Sequence, residues 1–135
     1  AGAFWRYNPK LFRYQEKHLR AIHAHNPALT RILPSVYPAI TFNVGNAIIC
    51  CRHRDPSDLA HGWCAIWAGG NYNPDMGGHL ILYEWGLVIR FPPGSVIFIP
   101  SSIVNHGNTL IQEGETRVSF TQYCSGALIR WAEFG

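Results

Sequence analysis

The sequence predicts a mainly β domain, a jelly roll preceded by a supporting helix, on three observations. From residue 39 onward, short β-rich apolar runs are separated by Gly, Pro, Asn and Asp, at the spacing of sandwiches and barrels. Residues 9–25 instead carry a helical apolar period. The 135 residues are 47% hydrophobic and only 14% charged, which suits one domain around one core and excludes a disordered chain.

The helix comes first. Asn8-Pro9 opens it and Asn26-Pro27 closes it, as Pro at a first turn and the residue before a Pro dictate. Leu11, Phe12, Leu19 and Ile22 fall on one side. Lys10, Arg13, Lys17 and Arg20, spaced 3, 4 and 3, line the other. Such a row is commonly the solvated face of a helix packed on a sheet. In the sharper reading it is a stripe for nucleic-acid phosphates. Residues 1–38 are therefore read as a helical support segment and 39–135 as the β core, one domain overall.

The core is expected to contain strands at Ile40–Cys51, Gly62–Ala68, His79–Tyr83, Leu87–Phe91, Ser95–Ile99, Ile103–Asn108, Arg117–Cys124 and Ala127–Trp131. Asn71-Tyr72-Asn73-Pro74, Gly77-Gly78, Pro92-Pro93-Gly94 and Glu113-Gly114 break them. A helix before such a set suits a jelly roll supported on one face.

Charge and cysteine usage bound the setting. Residues 1–54 hold eight Lys or Arg against Glu16 alone, net +7, and the rest hold three against seven acids, net −4, giving +3 together. That asymmetry marks a surface suited to an anionic partner. Cys50, Cys51, Cys64 and Cys124 form no C-x-x-C pair, so they read as small buried apolar residues of an intracellular, reducing compartment rather than a zinc site. No apolar run approaches the roughly 20 residues of a membrane helix, so no membrane is expected. The chain begins at Ala1 without Met or a signal-peptide pattern, which fits a piece of a longer protein.

Chemistry concentrates in three places. His53 and Asp55 flank Arg54 just after Ala-Ile-Ile-Cys-Cys. In extended chain, residues i and i+2 point the same way about 6–7 Å apart, so both can reach one metal ion. His106 lies in a later strand, and distant strands meet side by side in a jelly roll. Two His and one carboxylate on one face of an octahedron form the open site of non-haem Fe(II) oxygenases. Arg117 follows, with Ser119 at i+2. If residues 106 and 117 lie on neighbouring antiparallel strands joined at Gly114, the planar guanidinium fork can grip a carboxylate inside the same barrel. 2-Oxoglutarate fits: one end chelates iron and the far carboxylate meets Arg117. Trp67, Tyr72 and Asn73 lead into the loop before Gly77 and are candidates for the substrate side, where an aromatic can stack on a flipped base. His23 and His25 suit a helix C-terminus, and His61 and His79 suit turns.

His53-Arg54-Asp55, Gly77-Gly78-His79-Leu80, His106 and Arg117-Val118-Ser119-Phe120 resemble the 2-oxoglutarate- and Fe(II)-dependent dioxygenase superfamily. Within it, the His-Arg-Asp triplet and the strand Arg-Val-Ser-Phe-Thr-Gln-Tyr are similar to the TET/JBP group of DNA methylpyrimidine dioxygenases. The stretch from Cys51 to Trp131 resembles dioxygenase-like domains of basidiomycete fungi, many tied to transposable elements. The resemblance implies a double-stranded β-helix, iron at His53, Asp55 and His106, and 2-oxoglutarate at Arg117 and Ser119, with O2 consumed. It also implies a partner in DNA or RNA with methylated bases, and with it a nuclear site.

Rival readings are a cupin-type metal-binding jelly roll and a catalytically inactive binding module. A cupin would need His-x-His where Asp55 stands and gives Arg117 no role. A kinase catalytic loop, which also opens His-Arg-Asp, needs Asn where Ala60 sits.

Overall fold

The four-stranded sheet that carries most of the fold runs in the order β1-β7-β2-β5, and a three-stranded sheet, β4-β3-β6, faces it. A computed structural model describes residues 2–29, 34–45 and 49–135. The strands are β1 (Ala39–Asn43), β2 (Cys64–Asn71), β3 (Leu80–Leu82), β4 (Leu87–Ile89), β5 (Val96–Ile99), β6 (His106–Asn108) and β7 (Thr116–Tyr123). Every strand pair is antiparallel. Two facing antiparallel sheets with non-sequential neighbours are a jelly roll, the double-stranded β-helix of the expectation.

The helices are α1 (Gly2–Tyr7), α2 (Pro9–His25) and α3 (Gly126–Phe134). In α2 the Asn8 side chain accepts from the Leu11 N–H at 3.2 Å, with Pro9 in the first turn. Leu11, Leu19 and Ile22 are buried and Lys10, Arg13, Lys17 and Arg20 exposed, so the expected two faces exist.

Alternation along the strands sorts the core into two layers. Cys64, Ile66 and Ala68 of β2 face the small sheet and pack with Leu80, Leu82, Phe91, Ile99 and Val104. Ala65 points the other way, into a cluster with Phe4, Leu11, Val36, Tyr37, Leu59, Cys124 and Ile129 beneath the helices. Phe4 anchors that cluster, its ring 5.4–6.0 Å from those of Tyr37, Phe98, Phe12 and Trp63. The order is thus helices, large sheet, small sheet.

Three expectations are corrected. Residues 127–131 form no strand but lie in α3, which the Ser125 hydroxyl caps by accepting from the Ala127 N–H at 3.3 Å. Five apolar-rich residues are too few for periodicity to separate helix from strand, and packing on α2 decides. There His18 Nε2 meets Glu133 at 2.9 Å and His25 meets the Trp131 ring edge-on. The strand expected over 40–51 is regular only to Asn43; residues 46–48 of it lie outside the described residues. Finally, β6 and β7 are not neighbours. The chain crosses from the small sheet to the large one between them, turning at Gly114, whose φ of +82° suits glycine.

Candidate metal centre and binding pocket

Residues 50–53 run beside β6, outside any named strand. His53 and His106 form an antiparallel bridge, the N–H of each donating to the carbonyl of the other at 3.1 and 2.9 Å. Residues opposed in this way share a face, and the two imidazole centroids are 4.3 Å apart. The Asn108 N–H donates to the Cys50 carbonyl and the Asn108 side chain accepts from the Cys50 N–H, at 3.1 and 2.6 Å, which extends the pairing.

Asp55 is placed by its backbone. Its N–H donates to the Ser101 carbonyl at 3.0 Å and its carbonyl accepts from the Asp58 N–H at 3.0 Å. The buried Ser101 hydroxyl donates to the Asp58 carboxylate at 2.6 Å, pinning the turn a second time. The result sets one Asp55 carboxylate oxygen 3.6 Å from His106 Nε2 and the other 3.8 Å from His53 Nε2. Among the described residues these three side chains form the one such group, their ligand atoms within 4.8 Å of one another.

The imidazoles are oriented as ligands. His53 Nδ1 donates to the Cys51 carbonyl at 2.8 Å and His106 Nδ1 to the Val104 carbonyl at 3.0 Å. Those bonds assign the proton to Nδ1 and leave the Nε2 lone pair toward Asp55. Burial, the main cause, with His53 beside it, holds the His106 pKa below its ordinary value against the opposing pull of the Val104 carbonyl and Asp55. A neutral imidazole at neutral pH can ligate. Two nitrogens and a carboxylate from one side suit Fe(II) with open positions. The separations are wider than the roughly 3 Å that cis ligands at ~2.1 Å bonds require.

The triad opens into a cavity of about 380 Å³ between the sheets. Arg117, Ser119, Thr121 and Tyr123 of β7 line it, with Asn43 and Thr41 of β1. Arg117 and His106 therefore face each other from opposite sheets rather than from adjacent strands, and so can span a ligand. Arg117 is 3% exposed. Its buried Nε has no hydrogen-bond partner, and no carboxylate pairs with it among the described residues. A buried, unpaired guanidinium is costly unless an anion meets it. Ser119 accepts a long contact, 3.5 Å, from Asn43 Nδ2.

The residues read as substrate-facing are placed elsewhere. Trp67 is on the back of the large sheet, stacked on Phe120 at 5.1 Å, because β2 turns its even-numbered residues to the cavity. Tyr72 is buried, and its hydroxyl donates to the Phe91 carbonyl. Asn73 is exposed and caps the turn at Asp75. None of the three lines the cavity. The basic residues of α2 lie behind the large sheet, where Arg20 pairs with Glu16 and Arg13 covers the Trp5 ring.

Sequence reasoning missed several cavity residues. Thr121 and Tyr123 extend the 117, 119 alternation, and Asn108 stands two residues after His106, so period two could have found all three. Asn43 and Cys50 reach the cavity through pairings that no local signal announces.

No protein-family model matches the chain, and no curated protein matches it in sequence. In fold it is similar to the solved structure of NgTET1 in complex with 5mC DNA, with a TM-score of 0.68 at 19% identity. The superposition covers 87% of this chain and 42% of NgTET1, so the chain spans less than half the length of that protein. A weaker match, TM-score 0.44 and 12% identity, is the viral collagen prolyl hydroxylase of Paramecium Bursaria Chlorella virus-1 in its 2OG complex, over 84% of this chain and 72% of that one. Among the described residues, no helix is long and apolar enough to cross a membrane. In fold, then, the chain is a double-stranded β-helix of the kind found in NgTET1, the architecture that its own motifs resemble.

Proposed function

We propose that the chain is a 2-oxoglutarate-dependent Fe(II) dioxygenase domain acting on a methylated pyrimidine base in nucleic acid. The observation that carries the reading is the coincidence, in one cavity, of the His53, Asp55 and His106 group with a buried Arg117 that lacks an anion. His53, Asp55 and His106 would hold the iron. Bound there with 2-oxoglutarate, Fe(II) supplies the O2 chemistry by which a C–H or N-methyl group becomes hydroxylated while 2-oxoglutarate becomes succinate and CO2.

The protein's residues do the rest. Arg117 takes the far carboxylate of the co-substrate through its planar fork, with the Ser119 hydroxyl beside it. The Cys51 and Val104 carbonyls keep both imidazoles in the ligating tautomer. Ile66 and Leu80 line the cavity and help to exclude water. A methylated base as substrate is supported by the TET/JBP-like motifs and by a fold shared with a protein whose solved complex contains 5mC DNA. The row Lys10, Arg13, Lys17 and Arg20 offers sequence-independent phosphate contact away from the cavity.

The test is succinate formation from 2-oxoglutarate by the folded, Fe(II)-loaded chain with ascorbate, followed by mass spectrometry of nucleosides from methylated DNA and RNA. A cupin-type or inactive module gives no succinate; that outcome ends this reading. Succinate without altered nucleosides moves the substrate outside nucleic acid.

A further inference from the structure

A buried guanidinium needs a holder as well as an anion. The Arg side chain carries about 2 kcal/mol of rotamer entropy, and the Nε that would usually tie it down is unpartnered. The structure supplies rings instead. The Arg117 guanidinium carbon lies 6.0 Å from the Tyr72 ring centroid and 6.0 Å from that of Phe91, close enough for the ring faces to attract it.

The two rings are fixed to each other and to the backbone. Both are buried, and the Tyr72 hydroxyl donates to the Phe91 carbonyl, joining the end of β2 to the segment after β4. Gly78, at φ +70°, closes on the tyrosine from another side: a Cβ there would stand 2.6 Å from the ring. Gly70, in register with Arg117, has φ +114° and would bring a Cβ within 2.3 Å of the Thr116 carbonyl oxygen. Only glycine fits there, and Tyr72 follows on the same inward-facing parity as Ile66 and Ala68.

The geometry points to Tyr72 and Phe91 as positioning residues that aim Arg117, so that the cavity selects an oxo acid with a second carboxylate over one without. This rests on the co-substrate reading above and reassigns Tyr72, whose buried, tied ring is not free to stack on a base. Neither ring lines the cavity or belongs to the metal group. Their loss is therefore expected to weaken the grip on the far carboxylate while leaving the metal group in place, apart from the packing that these buried rings give the core.

The experiment is calorimetric titration of the Fe(II)-loaded chain, without O2, against 2-oxoglutarate and against 2-oxobutyrate, which lacks the far carboxylate. Tyr72→Phe keeps the ring and removes the hydroxyl, and with it both the tie to Phe91 and the hydroxyl's own interaction with Arg117. It is expected to weaken 2-oxoglutarate roughly three- to tenfold, the worth of one hydrogen bond, and to leave 2-oxobutyrate and Fe(II) affinity unchanged. Phe91→Leu removes the other ring, gives the same split, and does not depend on the Tyr72 variant folding. Equal weakening of both acids, or no change in either, overturns the positioning role while the co-substrate reading stands. Wild-type protein that takes up no 2-oxoglutarate overturns both.

Discussion

His53 and Asp55 sit on irregular chain, each held by a few backbone bonds to β6 or to the Ser101 turn, whereas Arg117 rises from β7, an eight-residue strand bonded to β2 and β1. One end of the cavity is assembled from a bridge and a turn, and the other is built into the large sheet. The difference teaches where stability and ligand binding are coupled. At the metal end, an ion would tie together segments that the fold joins only loosely, so binding should stiffen them. At the arginine end the backbone is already fixed, and an anionic ligand would relieve the cost of an unpaired buried charge.

The largest effect expected from this contrast is at Asp55. Asp55→Ala removes one of the three proposed ligands, and Fe(II) affinity should fall by more than the roughly 100-fold that outer-shell losses cost. Melting of the metal-free chain should barely move. In the wild type, Fe(II) at a hundred times its dissociation constant adds about 2.7 kcal/mol of stability, and the variant should lose that gain. An Fe(II)-dependent rise in melting temperature that survives the substitution breaks the picture of the metal end.

Arg117→Met comes next. Losing a charge-assisted, bidentate contact should weaken 2-oxoglutarate roughly 10- to 100-fold with Fe(II) binding intact. Because Arg117 is buried without an anionic partner, the ligand-free variant should melt at the same temperature as the wild type or higher. A clear drop would mean that the guanidinium supports the empty fold, contrary to the comparison.

A smaller effect concerns Asp58, behind the metal end. Burial, the main cause, raises its carboxyl pKa above the ordinary 3.8, while the Ser101 hydroxyl pulls it back down. The protonated form is thus favoured in the folded state. This contribution is fully present below the unfolded pKa and is lost as pH rises through the raised folded value. Asp58→Asn should therefore flatten the fall in melting temperature across the mildly acidic range. An identical profile in both proteins removes Asp58 from the account.

The smallest change is predicted for the helix. Replacing Lys10, Arg13, Lys17 and Arg20 by Gln leaves succinate formation untouched, because the large sheet separates them from the cavity. If they touch phosphates, the slope of log affinity against log salt on duplex DNA becomes shallower by up to about 0.9 per contact. An unchanged slope makes them a solvated helix face.

Much of the site was legible because alternation is a local property. Arg117 and Ser119 pair along β7 by a spacing of two, and α2 follows from its caps and its period; His53 and Asp55 share that spacing, but backbone bonds to His106 and Ser101, not a strand, bring them together. Other features were not legible. The run Ala127–Trp131 looks like a strand until α2 is there to pack against. Trp67 looked substrate-facing, yet parity says only that it opposes Ile66, never which of the two meets the cavity. Tyr72 looked free to stack until its hydroxyl found Phe91.

By itself the sequence determined the segments, their faces and the residue types able to hold a metal and a dicarboxylate, because these depend on periods of two and 3.6 and on side-chain chemistry. Only the tertiary structure decided that β6 and β7 lie in different sheets, that His53 opposes His106, and that the Tyr72 ring lies beside Arg117. Those choices follow from which face of the large sheet the helices bury. That is settled by packing between residues far apart in the chain, where no local pattern reaches.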